Sequence, residues 1–108
     1  MMTEAFVSVI IPVYNDPERL ETCLDALERQ SYPTDAYEVI AVDNNSDDSI
    51  EGIVNNFPHA ISSSEVKPGS YGAPNRGIQG AHGNLFAFTD ADCIPENDWI
   101  ESGVRRLE

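Results

Sequence analysis

Basic residues are scarce in this sequence. Lys67 is the only lysine, and five arginines bring the basic total to 6 against 19 acidic residues, a formal net charge of −13. Such a chain repels phosphate backbones and anionic bilayers, so no nucleic acid and no anionic membrane surface is expected as a partner. Long hydrophobic runs are missing too: no stretch approaches the roughly 18–20 apolar residues of a membrane span. The N-terminus lacks the basic stretch and small-residue cleavage site of a secretory signal. The two cysteines, Cys23 and Cys93, stand 70 residues apart, in neither CxxC nor zinc-ligand spacing. No disulfide framework is expected, and both read as small buried apolar side chains of an intracellular protein. His59 and His82 have no partners at ligand or triad spacing and read as surface or packing residues.

What is present is globular. Of 108 residues, 41% are hydrophobic and 23% charged, which predicts a single domain over residues 1–108 with one core. The acidic excess beside a lone lysine reads as that of a halophilic acidic protein. In a high-salt cytoplasm, screening removes the self-repulsion of such a charge.

Strand and helix patterns alternate along the chain. Residues 6–14, FVSVIIPVY, are almost continuously apolar and predict a strand buried on both faces. Asp16 can cap a helix opened by Pro17, with Leu20, Cys23, Leu24 and Leu27 as its apolar stripe and a stop near Gln30. Residues 37–43, YEVIAVD, predict a second strand. A helix capped at Ser46 or Asp47 follows, burying Ile50, Ile53, Val54 and Phe57. Residues 59–63 suggest a short third strand, 64–72 a loop and 73–82 a short helix or turn. Residues 84–89 predict a fourth strand, and 96–107 a last helix with Trp99, Ile100, Val104 and Leu107 inward. The alternation predicts an α/β fold with a mostly parallel sheet flanked by helices. The chain stops at Glu108 inside that last helix without a terminating glycine, so it is expected to be truncated, part of a longer protein.

In parallel sheets, ligands bind beyond the carboxyl ends of the strands, and polar clusters follow three of the predicted strands. Asp90 and Asp92 are one residue apart at a strand end, where extended geometry points both carboxylates the same way. Such a pair invites a hard dication, Mn2+ or Mg2+, since like charges so close oppose each other's ionisation. A solvated acidic loop is the plainer alternative. Asp43 closes the second strand and can accept hydrogen bonds from a base or ribose, whereas Ser46 to Asp48 suit a helix cap and first turn. Pro12, Val13 and Tyr14 are consistent with a base pocket or with a simple strand-to-helix turn; a proline so late in a strand suggests departure from the ladder. Residues 69–77 offer glycine-rich backbone and Arg76, without Walker A or GxGxxG spacing.

In order, SVIIPVYND, the helix to Gln30 with SYP, YEVIAVDNNSDD, GSYGAPNRGI and GNLFAFTDADCIPENDWIE resemble the N-terminal half of family 2 glycosyltransferases. The resemblance covers nearly the whole chain. It implies a Rossmann-like GT-A fold and transfer of a sugar, with inversion and a divalent metal, from a UDP- or GDP-sugar to an acceptor hydroxyl. Carried over, Pro12, Val13 and Tyr14 line the nucleoside pocket, Asp43 contacts the base, and Asn75 and Arg76 belong to substrate binding. Asp90 approaches ribose and metal, and Asp92 is the direct metal ligand. The family often has Ala-Arg-Asn where this chain has Ala73-Pro74-Asn75, so one arginine is missing. The catalytic base is expected downstream of Glu108. The acceptor is expected to be a glycan, lipid or protein, as in polysaccharide or glycoconjugate synthesis, with a homo-oligomer left open. The location is expected to be the cytoplasm, or the inner face of the membrane for a full-length form. Two other readings stand beside this one: a non-catalytic nucleotide-binding fragment or degenerate module, and a haloacid dehalogenase-like phosphoryl transferase suggested by FTDADC alone.

Overall fold

The computed structural model describes residues 5–44, 49–64 and 81–107. Among these, β1 (Val7–Val13), β2 (Tyr37–Asp43), β3 (Ala60–Ser64) and β4 (Leu85–Phe88) form one sheet in the order β3-β2-β1-β4. All neighbouring strands run parallel. Helices α1 (Pro17–Glu28), α2 (Glu51–Val54) and α3 (Trp99–Leu107) accompany them, and a single 3-10 turn, Thr34–Ala36, leads into β2. The parallel α/β architecture expected from the alternating patterns is the one observed.

Strand alternation divides the side chains between two faces. Val7, Val9, Ile11 and Val13 of β1 share one face with Tyr37, Val39 and Ala41 of β2. They pack against Leu20, Cys23, Leu24 and Leu27 of α1, Ile50 and Val54 around α2, and Ile100 and Val104 of α3. On the opposite face Ile10, Ile40 and Val42 are buried against Ala81, while Ile61, Phe86 and Phe88 keep 48%, 43% and 51% of their surface exposed. Ser8 lies on that second face too. Its hydroxyl donates to Glu38 Oε2 at 2.7 Å and accepts the Gly83 N–H at 2.8 Å. Glycine is required there, since a Cβ on Gly83 would meet Ser8 Oγ at 2.5 Å and Ser8 N at 2.7 Å.

Several local expectations are corrected. β1 does not leave the ladder at Pro12: it pairs with β2 through Val13↔Asp43. Its pairing with β4 ends at Ile10↔Phe88, so the N–H that proline lacks falls where no neighbouring strand asks for it. Asp16 stands at the α1 N-cap, but its side chain makes no cap bond. The chain arrives there through Asn15 at φ 50°, left-handed backbone that asparagine tolerates better than most residues. α1 ends at Glu28 with Arg29 as its C-cap, near Gln30 as expected. α2 is only one turn, closed by Asn55 and Asn56 ahead of Pro58. α3 starts at Trp99 rather than 96, because Glu96 to Asp98 form a preceding turn whose carbonyls accept the Trp99 and Ser102 N–H groups. Leu107 does not face inward: it is 71% exposed on the rim of an apolar groove between α3 and β4. The expected caps Ser46 and Asp47, and nearly all of the expected turn over 73–82, lie outside the described residues.

Candidate active site

The strand order places a crevice at one point of the sheet. From β1 the chain proceeds to β2 and β3 on one side, then returns to β4 on the other. The carboxyl ends of β1 and β4 therefore flank the topological switch, where parallel sheets bind ligands. Tyr14 follows β1 there, 63% exposed. Asp90 and Asp92 follow β4, and one oxygen from each lies within 4.8 Å of the other and of Cys93 Sγ.

These carboxylates converge for a reason other than the one the sequence suggested. Residues 90–93 do not continue the strand but turn, with the Cys93 N–H donating to the Asp90 carbonyl at 3.0 Å. The turn tucks Ala91 into the core and leaves Asp90, Asp92 and Cys93 facing solvent. Cys93 is thus exposed, contrary to the buried role expected of it. Its Sγ–H donates to Asp92 Oδ1 at 3.8 Å. The N–H of Thr89 donates to Ile10 O at 3.2 Å, so the end of β4 is anchored on β1 just before the turn.

Cys23 is buried as expected, and it reaches the site from beneath: from α1 its Sγ–H donates to the Asp90 carbonyl at 3.8 Å. Burial, with smaller contributions from Cys93, Asp92 and Asp90, pushes its thiol pKa up to about 12. It therefore stays a neutral donor under the turn. Gln30 braces the far flank. Its buried amide donates to Ala26 O at 3.3 Å and Glu96 O at 2.7 Å, and its Oε1 accepts the Ile100 N–H at 2.9 Å. The Ser31 N–H donates to Asn97 O at 2.7 Å. The segment from the acidic turn to α3 is thereby tied to the end of α1.

Asp43 ends β2, half-buried. It lines an open cavity of about 280 Å³ with Ser49, Ile50 and Glu51 beside α2 and with Ser62, Ser63 and Ser64 of β3. The β3 serines escaped the sequence reading because SSS gives no motif; only the strand register Asp43↔Ser64 brings them to the cavity. β1 separates Asp43 from the acidic turn, so the strand spacing sets them on the order of 10 Å apart. Pro12 is half-buried at the end of β1. Val13 is sealed in the core, and its carbonyl accepts the Asn44 N–H at 2.7 Å. Asn75 and Arg76 lie outside the described residues.

The histidines sit away from the crevice, each against a glutamate. His59 Nδ1 lies 3.1 Å from Glu28 Oε2, and His82 Nδ1 lies 3.3 Å from Glu38 Oε1. Glu101 is engaged by the Ser31 hydroxyl at 2.6 Å and by Arg105.

Residues 8–108 match the family described as "Glycosyl transferase family 2". The chain is 45% identical over 110 residues to Glycosyltransferase AglE of Haloferax volcanii, covering 97% of this chain and 36% of that protein. A mannosyltransferase from Pyrobaculum calidifontis, PcManGT, solved in complex with GDP-Man and Mn2+, superposes with a TM-score of 0.88. It is 30% identical, over 98% of this chain and 33% of its own. The 1–349 portion of TarS of S. aureus, solved in complex with UDP, superposes with a TM-score of 0.85 at 24% identity, over 94% of this chain and 32% of that portion, a likeness of fold. The chain spans about a third of the length of AglE and of PcManGT, and 19% of the longer TarS chain.

Proposed function

The chain belongs to glycosyl transferase family 2 and has the GT-A fold, and from that premise we propose that residues 1–108 form one nucleotide-sugar-binding domain. The enzyme it serves moves a hexosyl group from a nucleoside diphosphate to an acceptor hydroxyl, with inversion and with a divalent metal. The observation that carries this reading is the convergence of the Asp90 and Asp92 oxygens within 4.8 Å at the switch point. Carboxylates that close are relieved by a shared dication, and hard oxygen donors suit Mn2+ or Mg2+. The donor set therefore fits the metal. The structures named with GDP-Man and Mn2+ and with UDP support donors of the UDP- or GDP-sugar class.

Asp92 is the proposed direct metal ligand, with Asp90 beside it reaching toward ribose and metal. Asp43 accepts hydrogen bonds from the base. Tyr14 offers a base an exposed ring, Pro12 lines the same end, and Val13 fixes the backbone between them. Asn75 and Arg76 complete the substrate contacts. When bound, the dication offsets charge gathering on the diphosphate oxygens. The acceptor hydroxyl must surrender its proton to a base, and Glu101, occupied by Ser31 and Arg105, is not assigned to it. We place the base and the acceptor-binding surface outside this chain. The acceptor is a glycan, lipid or protein on the cytoplasmic side, a class in keeping with relatives such as a poly(ribitol-phosphate) glucosyltransferase.

Calorimetry with Mn2+ and GDP or UDP tests the site. Asp92→Asn is expected to abolish the metal-dependent part of nucleotide binding while circular dichroism stays unchanged; equal affinity in both proteins overturns the metal assignment. Sugar transfer by a full-length form separates an enzyme from a module that only binds.

A further inference from the structure

Resting on that metal reading, we propose that Cys93 is a third donor at the acidic turn, so that the site takes thiophilic dications such as Co2+, Zn2+ or Cd2+ through two oxygens and one sulfur. Its Sγ and one oxygen each of Asp90 and Asp92 lie within 4.8 Å of one another. Metal–oxygen and metal–sulfur bonds of about 2.0–2.3 Å put neighbouring donors roughly 3–4 Å apart, so small side-chain rotations close the set. The backbone is already in place, since the Asp90 carbonyl holds the Cys93 N–H at 3.0 Å and accepts the Cys23 thiol at 3.8 Å from below. All three donors are exposed. An ion can enter from solvent and keep its remaining positions for water or phosphate oxygens.

Ligand softness separates the two classes of ion. Mg2+ takes oxygens and gains nothing from sulfur, whereas Co2+, Zn2+ and Cd2+ accept thiolate readily. Cys93 is thus a specificity-determining residue: it decides which metals the turn retains without being needed for the hard ones. As the sulfur bond forms, the thiol proton passes to solvent.

Titration of the chain with Co2+ alone tests this. A near-ultraviolet thiolate-to-cobalt charge-transfer band is expected in the parent chain and is expected to be absent in Cys93→Ser. Cd2+ affinity is expected to fall at least tenfold in that variant while Mg2+ affinity changes less than twofold. Because Cys93 is exposed, the variant is expected to keep the parent's far-ultraviolet circular dichroism. Calorimetric Co2+ binding without the band, or a band that survives in Cys93→Ser, overturns the role of Cys93 and leaves the metal site standing. Failure of Co2+, Mn2+ and Mg2+ alike to bind overturns the proposal together with the metal reading.

Discussion

Burial and hydrogen bonding pull the Glu38 carboxyl in opposite directions. Burial pushes its pKa up, but the His82 N–H at 2.8 Å, the Ser8 hydroxyl at 2.7 Å and the His82 ring outweigh it, and the net shift is downward from the ordinary 4.5. A carboxyl whose folded pKa lies below its unfolded value stabilises the fold at pH above that unfolded value. The contribution fades as pH falls through the folded one. Urea unfolding midpoints are therefore expected to drop as pH goes below about 4.5, and to drop less steeply in Glu38→Gln. Identical acid limbs in the two proteins would sink this account. None of it was visible in the sequence, where Ser8 and Glu38 are two strand residues 30 positions apart, and only the parallel register pairs them.

At the scale of elements, one amide joins two helices. Gln30 meets the backbone of Ala26, Glu96 and Ile100, and its removal leaves the buried Ile100 N–H in α3's first turn without its partner, whereas the Ala26 and Glu96 carbonyls keep the Arg29 and Trp99 N–H groups. Gln30→Ala is expected to destabilise the chain by about 1–3 kcal/mol, read from urea unfolding, because one unsatisfied buried amide costs that much. A change under about 0.5 kcal/mol, the scale of neutral surface substitutions, would contradict the clamp. The sequence showed Gln30 only as a helix stop, since its partners are 66 and 70 residues away. The strands themselves were legible, because β-branched runs such as VSVIIPV have few alternatives to a buried parallel strand. Asp90 and Asp92 were legible as a pair because they are neighbours in the chain. The turn that makes them converge was not, because it depends on Ala91 finding the core and on the anchor of Thr89 to β1. The serines opposite Asp43 were hidden for the reason that hid Ser8: register is a tertiary property.

For the whole molecule, charge dominates. Its extents are 46 × 24 × 20 Å. At 10 mM salt the Debye length is about 30 Å and at 1 M about 3 Å, so each charge senses nearly all the others in the first case and only its neighbours in the second. The arginine ion pairs among the described residues, Arg19–Asp16, Arg29–Asp25 and Arg105–Glu101, are local and exposed. Screening sacrifices little there while relieving a net −13. The thermal midpoint is expected to rise when KCl is increased from 10 mM to 1 M, and a flat or falling midpoint would refute the high-salt reading.

β1 touches both halves of the crevice, taking the Asn44 N–H on Val13 O and the Thr89 N–H on Ile10 O. One rod thus serves as the common ruler for both banks. If it slides, they travel together, and the gauge between them stays fixed by the width of two strands. A substitution on either bank changes what that bank grips but leaves the span a cargo must bridge unchanged.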